Sequence, residues 1–291
     1  MTTYDSNHFM PVIAREDFEI GCMKPLSYSR EEISKAIVDN VKRLSSGDMS
    51  PRQVEAVARM KYLGTVNVMQ PENLEDFHKW FGFFNDLYFG GLLKGYCRIE
   101  TYNFKDMGKR VDGHCRGYFH IDIPGQELDP RFRKETVDGH IAILRYDVGY
   151  YREIGSSHFT DPFTRWKNYF DTLLHEMLHA VDGIYGYYCL ESCCAEVEET
   201  WGHDIYWQAA AQALEDSKVL GWYPQLGRTE SLCVDVEGGY ILPDEIVLRS
   251  LGLDITQILT KQRQVKAYFH EEEVRPPAAN RCIRGDWIVD A

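Results

Sequence analysis

Between Asp161 and Gly186 the residues Trp166, Phe170, Leu173, Leu174, Met177, Val181 and Ile184 recur every three or four positions, the period of a helix with a buried stripe. Thr160 or Asp161 is placed to cap its start, Pro162 falls in the first turn, and Gly183 or Gly186 ends it. Asp171, His175, His179 and Asp182 lie on another face of the same strongly amphipathic helix.

The pattern upstream is also readable. "SREEISKAIVDNVKRLSSGDMSPRQVEAVARMKYLG" predicts two short helices broken at "SSGDMSP", where Ser-Pro forces a turn. Leu74, Phe77, Phe81, Phe84 and Tyr88 predict a further helix stopped by Gly90-Gly91. "YCRIETYNF", "GYFHIDI" and "HIAILRYDVGYY", separated by turn-prone segments, read as strands of a small sheet.

After "YYCLESCC" a second helix is expected through "AEVEETWGHDIYWQAAAQALEDS", broken near Gly202, with Trp207, Ala210, Ala211 and Leu214 facing the core. Beyond about residue 226 the pattern predicts a hairpin-like "SLCVDVEGGYIL", a helical "PDEIVLRSLGLDITQILTKQRQ" and an irregular end.

With 291 residues and 44% hydrophobic content the chain can bury one sizeable core. It carries neither a basic segment leading into an apolar run at its start nor a stretch of about 20 apolar residues, so neither a secretion signal nor a membrane span is expected, and an intracellular, cytoplasmic or nuclear setting is. Eight cysteines without a C-x-x-C pair give no support for a zinc ribbon, and reduced thiols are the expectation, the "CLESCC" cluster included. The net charge is −13, and residues 161–216 hold eleven acids against two bases. Such a field opposes phosphate and favours cations or basic polypeptide, so nucleic acid is not supported as a partner and a basic protein or peptide is.

The stretch "DTLLHEMLHAVDGIYG" holds the candidate chemistry. Residues four apart on a helix stack one above the other, so His175 and His179 can offer two imidazole nitrogens to one metal ion. Glu176 is rotated about 100° from His175, beside the ion rather than on it, where a carboxylate can take a proton from water. A catalytic zinc needs a third protein ligand and an open position. Downstream candidates are His203, Glu196, Glu198, Glu199 and Asp182. His203 is favoured, because it stands next to a helix start after "TWG" and neutral imidazole suits zinc, with Tyr206 and Trp207 placed to anchor that helix. Asp182 shares a helix with two ligands already, so it is expected to hydrogen-bond a histidine or cap the helix. His78, His114, His120, His140 and His158 are read as structural.

"FNDLYFGGLL", "HEMLHAVD" and "GHDIYW" occur in that order, and over about residues 70–218 the chain resembles the SprT-like zinc metalloprotease domain, the family of bacterial SprT and the Spartan proteases. The resemblance implies an α+β, zincin-like fold with a small sheet against the H-E-x-x-H helix. It also implies one zinc ion on His175, His179 and His203, and Glu176 as general base. Two differences stand out: Asp204 follows the third histidine where the family commonly has glycine, and the loop from Pro124 to Gly139 is long. The organisation expected is an N-terminal helical extension (1–66), a metalloprotease domain (67–225) and a C-terminal extension (226–291). The expected function is zinc-dependent hydrolysis of peptide bonds in protein substrates. The alternatives are a DNA-associated repair protease, as the Spartan branch implies, and a non-catalytic zinc-stabilised binding module.

Overall fold

The computed structural model describes residue 20 and residues 23–25, 27–64, 74–102, 113–119, 140–147, 161–186 and 202–273. The architecture is α+β: eight helices and three strands among the described residues. Chain order runs α1 (Arg30–Ser46), α2 (Pro51–Met60), α3 (Leu74–Tyr88), β1 (Cys97–Tyr102), β2 (Gly113–Phe119), β3 (His140–Asp147), α4 (Pro162–Tyr185), α5 (Ile205–Asp216), α6 (Arg228–Gly238), α7 (Glu245–Ser250) and α8 (Ile255–Glu273).

The amino-terminal helices start where their capping chemistry says they should. Ser29 and Glu32 form a capping box on α1, Ser50 and Gln53 form one on α2, and Gly47 ends α1 in the left-handed region. Gln53 is then used a second time. Its buried amide donates to Asn40 O at 2.9 Å and to Leu87 O at 3.1 Å, while the Asn40 amide donates to Tyr88 O at 2.8 Å. Two polar side chains thus satisfy the last carbonyls of α3 and fix α1 and α2 against it.

The three strands form one mixed sheet in the order β1-β3-β2. β3 pairs parallel with β1, from Cys97 opposite Ala142 to Tyr102 opposite Asp147, and antiparallel with β2, from Gly113 opposite Tyr146 to Phe119 opposite His140. β2 and β3 lie against α4. On its other sides α4 meets α1 and α5. Every residue of α4 from Tyr169 to Val181 is consequently buried, the polar ones included. The expected amphipathic helix is therefore a central one, enclosed all round.

The main core is aromatic. Phe77, Trp80 and Phe84 of α3 meet Tyr169 and Phe170 of α4, with Trp80 and Phe170 centroids 4.4 Å apart and Phe77 edge-on to Tyr169 at 5.5 Å. Ile33, Ile37 and Val41 of α1 and Leu226 beyond α5 belong to the same cluster, so the first helices share its core. A second cluster unites Leu232 and Cys233 with Leu248, Leu251, Leu253, Ile255 and Ile258 of the carboxy-terminal helices.

Two segments fold differently from the sequence expectation. "SLCVDVEGGYIL" is helical through Gly238 rather than a hairpin, and Gly239 at φ 108° caps the helix instead of making a two-residue turn. The β-branched alternation Val234, Val236 gave a local strand signal, but Leu232, Cys233, Asp235 and Val236 are buried at helical spacing and tertiary packing overrides it. The single helix after Pro243 is two, α7 and α8, divided at Gly252 with φ 65°. The segment 187–201, the loop 124–139 and the ends 1–19 and 274–291 lie outside the described residues. Cys97 and Cys233 are free thiols, and burial pushes both thiol pKa values up. Among the described residues no helix is long and apolar enough to cross a membrane.

Candidate metal centre

Asp161 caps α4 with its carboxylate on the Phe163 and Thr164 backbone N–H groups, and Pro162 occupies the first turn. Four turns later His175 and His179 project from one face. His203 comes from a different part of the chain, immediately before Asp204, the cap of α5, whose carboxylate accepts from Tyr206 N and Trp207 N at 3.0 Å. Asp204, directly after the third histidine, is thus a helix cap.

The three Nε2 atoms converge. His175 to His179 is 3.0 Å, His175 to His203 is 3.1 Å and His179 to His203 is 3.1 Å. A tetrahedral ion with metal–nitrogen bonds of about 2.0–2.1 Å spaces its ligand nitrogens about 3.3 Å apart. The observed triangle is within a few tenths of an ångström of that.

Hydrogen bonds behind the rings decide what the converging atoms are. His175 Nδ1 donates to Leu226 O at 2.9 Å, and His203 Nδ1 donates to Asp235 Oδ1 at 3.1 Å. A carbonyl or carboxylate only accepts, so the ring hydrogen sits on Nδ1 and a neutral ring is left with a bare lone pair on Nε2. Bare lone pairs at 3.1 Å repel unless a cation lies between them. Burial, with His203 adding to it, pushes the His175 pKa down to about 3, so His175 itself carries no second proton near neutrality. The three histidines are buried, 4%, 8% and 0% exposed, and lie close enough to hold one metal ion. An all-imidazole set suits zinc, copper, iron or nickel.

The supports come from beyond α5. Asp235 on α6 accepts from His203 N at 2.8 Å as well as from its ring, and Gln208 Nε2 donates to His203 O at 3.2 Å, so both backbone groups of His203 are held. Leu226 O is aimed by a turn in which Glu215 accepts from Leu226 N and Arg228 Nε, each at 2.7 Å. Gly227 makes that turn at φ 63°, a left-handed conformation that a side chain would strain. Trp207 walls the centre, its ring centroid 4.7, 5.5 and 4.8 Å from those of His175, His179 and His203. Glu176 is fully buried on α4. Beside His175 opens a cavity of about 660 Å³, with Asp171, Thr172, Glu215, Arg228 and Glu230 in its lining.

Asp182 is not in this cluster: its carboxylate takes the guanidinium of Arg30, where a hydrogen bond to a histidine or a helix cap was expected. Glu196, Glu198 and Glu199 fall outside the described residues, as do Cys189, Cys193 and Cys194. His78 is exposed on α3, and the other histidines expected to be structural have no described side chains. The sequence reading missed Leu226 and Asp235. Nothing local marks a backbone carbonyl as a partner, and the helical burial of Asp235 was masked by the strand-like alternation around it.

Compared with protein-family models, curated proteins and solved structures, the chain has no match.

Proposed function

We propose that this protein is a zinc-dependent peptidase with a zincin-like catalytic domain, in which His175, His179 and His203 hold the ion and Glu176 is the general base. The observation that carries the reading is the convergence of three Nε2 atoms, two of them stripped of their hydrogens by Leu226 O and Asp235, on the helix that bears Glu176. His175, His179 and His203 would hold the zinc ion, which would supply Lewis-acid polarisation of a scissile carbonyl and of a water. Glu176 takes a proton from that water on its carboxylate and returns it to the departing amine. Leu226 and Asp235 keep two imidazoles in the ligating tautomer, and Trp207 excludes water from one side.

The acidic lining of the cavity beside His175 and the net charge of −13 favour substrate segments rich in Lys and Arg. The same charge opposes DNA association of the Spartan kind. A second reading, a zinc-stabilised binding module, has in its favour the deep burial of all three histidines. It gives no use to a carboxylate beside the ion.

The test is metal content and proteolysis of a casein-type substrate by wild type and Glu176→Gln. The amide keeps the shape but takes no proton, so the variant is expected to retain the metal and lose at least about 100-fold in turnover. Wild-type turnover by the metal-loaded variant refutes the general-base role, and zinc binding without proteolysis by the wild type selects the binding module.

A further inference from the structure

Arg30, on the first helix, bonds the two segments that carry the metal triangle. Its Nε and Nη2 donate to Asp182 Oδ2 at 2.8 and 2.5 Å, and its Nη1 donates to Asp204 Oδ2 at 2.7 Å. Asp182 lies on α4 three residues after His179, and Asp204 directly follows His203. One guanidinium therefore joins the two segments that carry the ligands. All three side chains are largely enclosed, 16–18% exposed. A planar guanidinium presents its donors in a fixed fork, so the separation of the two carboxylates is set by the ion and not by two independent flexible contacts. Nearby, Ser34 Oγ on α1 donates to Tyr206 O at 2.7 Å, and a small cavity lined by Arg30, Leu178, Asp182, Asp204 and Trp207 marks the seam between α1, α4 and α5.

We infer that Arg30 is a positioning residue of the metal centre: by bridging Asp182 and Asp204 it fixes His203 against His175 and His179, so the amino-terminal helix is part of the site and not an appendage. Ionised together, the two carboxylates carry like charge and are drawn to one cation; burial pushes the Asp182 pKa up, and Arg30 is the group that opposes this. Without it they repel, and the repulsion acts along the line that opens α4 from the start of α5. Asp204 Oδ1 meanwhile caps α5, so any shift of Asp204 carries His203 with it. This inference rests on the reading that the three histidines hold an ion.

The experiment measures zinc affinity by chelator competition, and the visible absorption of the cobalt-substituted full-length protein, for wild type, Arg30→Ala, Arg30→Lys, Asp204→Asn and Arg30→Ala/Asp204→Asn. Asparagine still caps a helix but removes one of the two charges. Arg30→Ala is expected to weaken zinc binding by about tenfold or more and to alter the cobalt spectrum. Lysine, a single point of charge, is expected to restore only part of the loss. The double variant is expected to bind zinc more tightly than Arg30→Ala alone. Should Arg30→Ala fail to fold, Arg30→Lys and Asp204→Asn decide by the same two readouts, both weakened if the bridge positions His203. Wild-type zinc affinity and spectrum in the folded Arg30 variants, even with a lowered melting temperature, overturn the inference and leave Arg30 a structural residue. A wild-type protein that binds neither zinc nor cobalt overturns the metal reading itself.

Discussion

Asp235 grips His203 twice, accepting from its backbone N–H at 2.8 Å and from its ring Nδ1 at 3.1 Å. One carboxylate therefore sets both where the residue sits and which ring nitrogen faces the triangle. Partners of this kind, removed from other metal sites, cost 10–100-fold in affinity. Asp235→Ala is expected to weaken zinc binding by that order, and Asp235→Asn by less, since its amide oxygen can still accept from Nδ1. Chelator competition checks both, and equal affinities for all three proteins would remove Asp235 from the site.

His203 itself is expected to be indispensable. Two imidazoles on one helix hold an ion weakly, and the third must come from a segment that returns across them. His203→Ala should release most of the zinc, whereas alanine at Glu196, Glu198 or Glu199 should leave it bound. Metal analysis after gel filtration reads this directly. Zinc kept by His203→Ala and lost from one glutamate variant would move the ligand set to two histidines and a carboxylate.

Asp171 gives a pH signature. Burial pushes its carboxyl up to about 6 from an ordinary value of 3.8, although Lys167, bonded at 2.5 Å, pulls it back. Between those values the folded protein holds a proton that the unfolded chain has released. The group's contribution to stability is therefore present below about pH 4 and is lost as the pH rises through 6. Relative to Asp171→Asn, the wild type should lose roughly 2–3 kcal/mol between pH 4 and 7. Urea unfolding of both proteins, stripped of metal, measures it; a pH-independent difference would show that Asp171 titrates normally.

The aromatic core is expected to be costly to open. Phe77 is fully buried, with Tyr169 and Phe170 edge-on to it at 5.5 and 6.5 Å. Phe77→Ala should cost about 3–5 kcal/mol through lost burial and the cavity left behind. A drop under about 1 kcal/mol in chemical unfolding would mean that α3 and α4 do not share one core.

What the sequence alone determined is what repeats locally. The four-residue interval between His175 and His179 is a property of any helix, and the cap at Asp161 and the stops at Gly47 and Gly186 are chemistry of adjacent residues. The helices from Arg30 to Tyr88, the first and third strands and the buried face of α5 were legible for the same reason, whereas β2 begins at Gly113, four residues before the expected "GYFHIDI". Tertiary structure decided the rest. Arg30 meets Asp182 across 152 positions, His175 meets Leu226 across 51 and His203 meets Asp235 across 32, and contacts at such separations leave no period in the chain. The region after residue 226 read as a hairpin because alternating valines favour a strand in isolation. It folds as a helix packed against α8 and α5, and as a helix it brings Asp235 under His203.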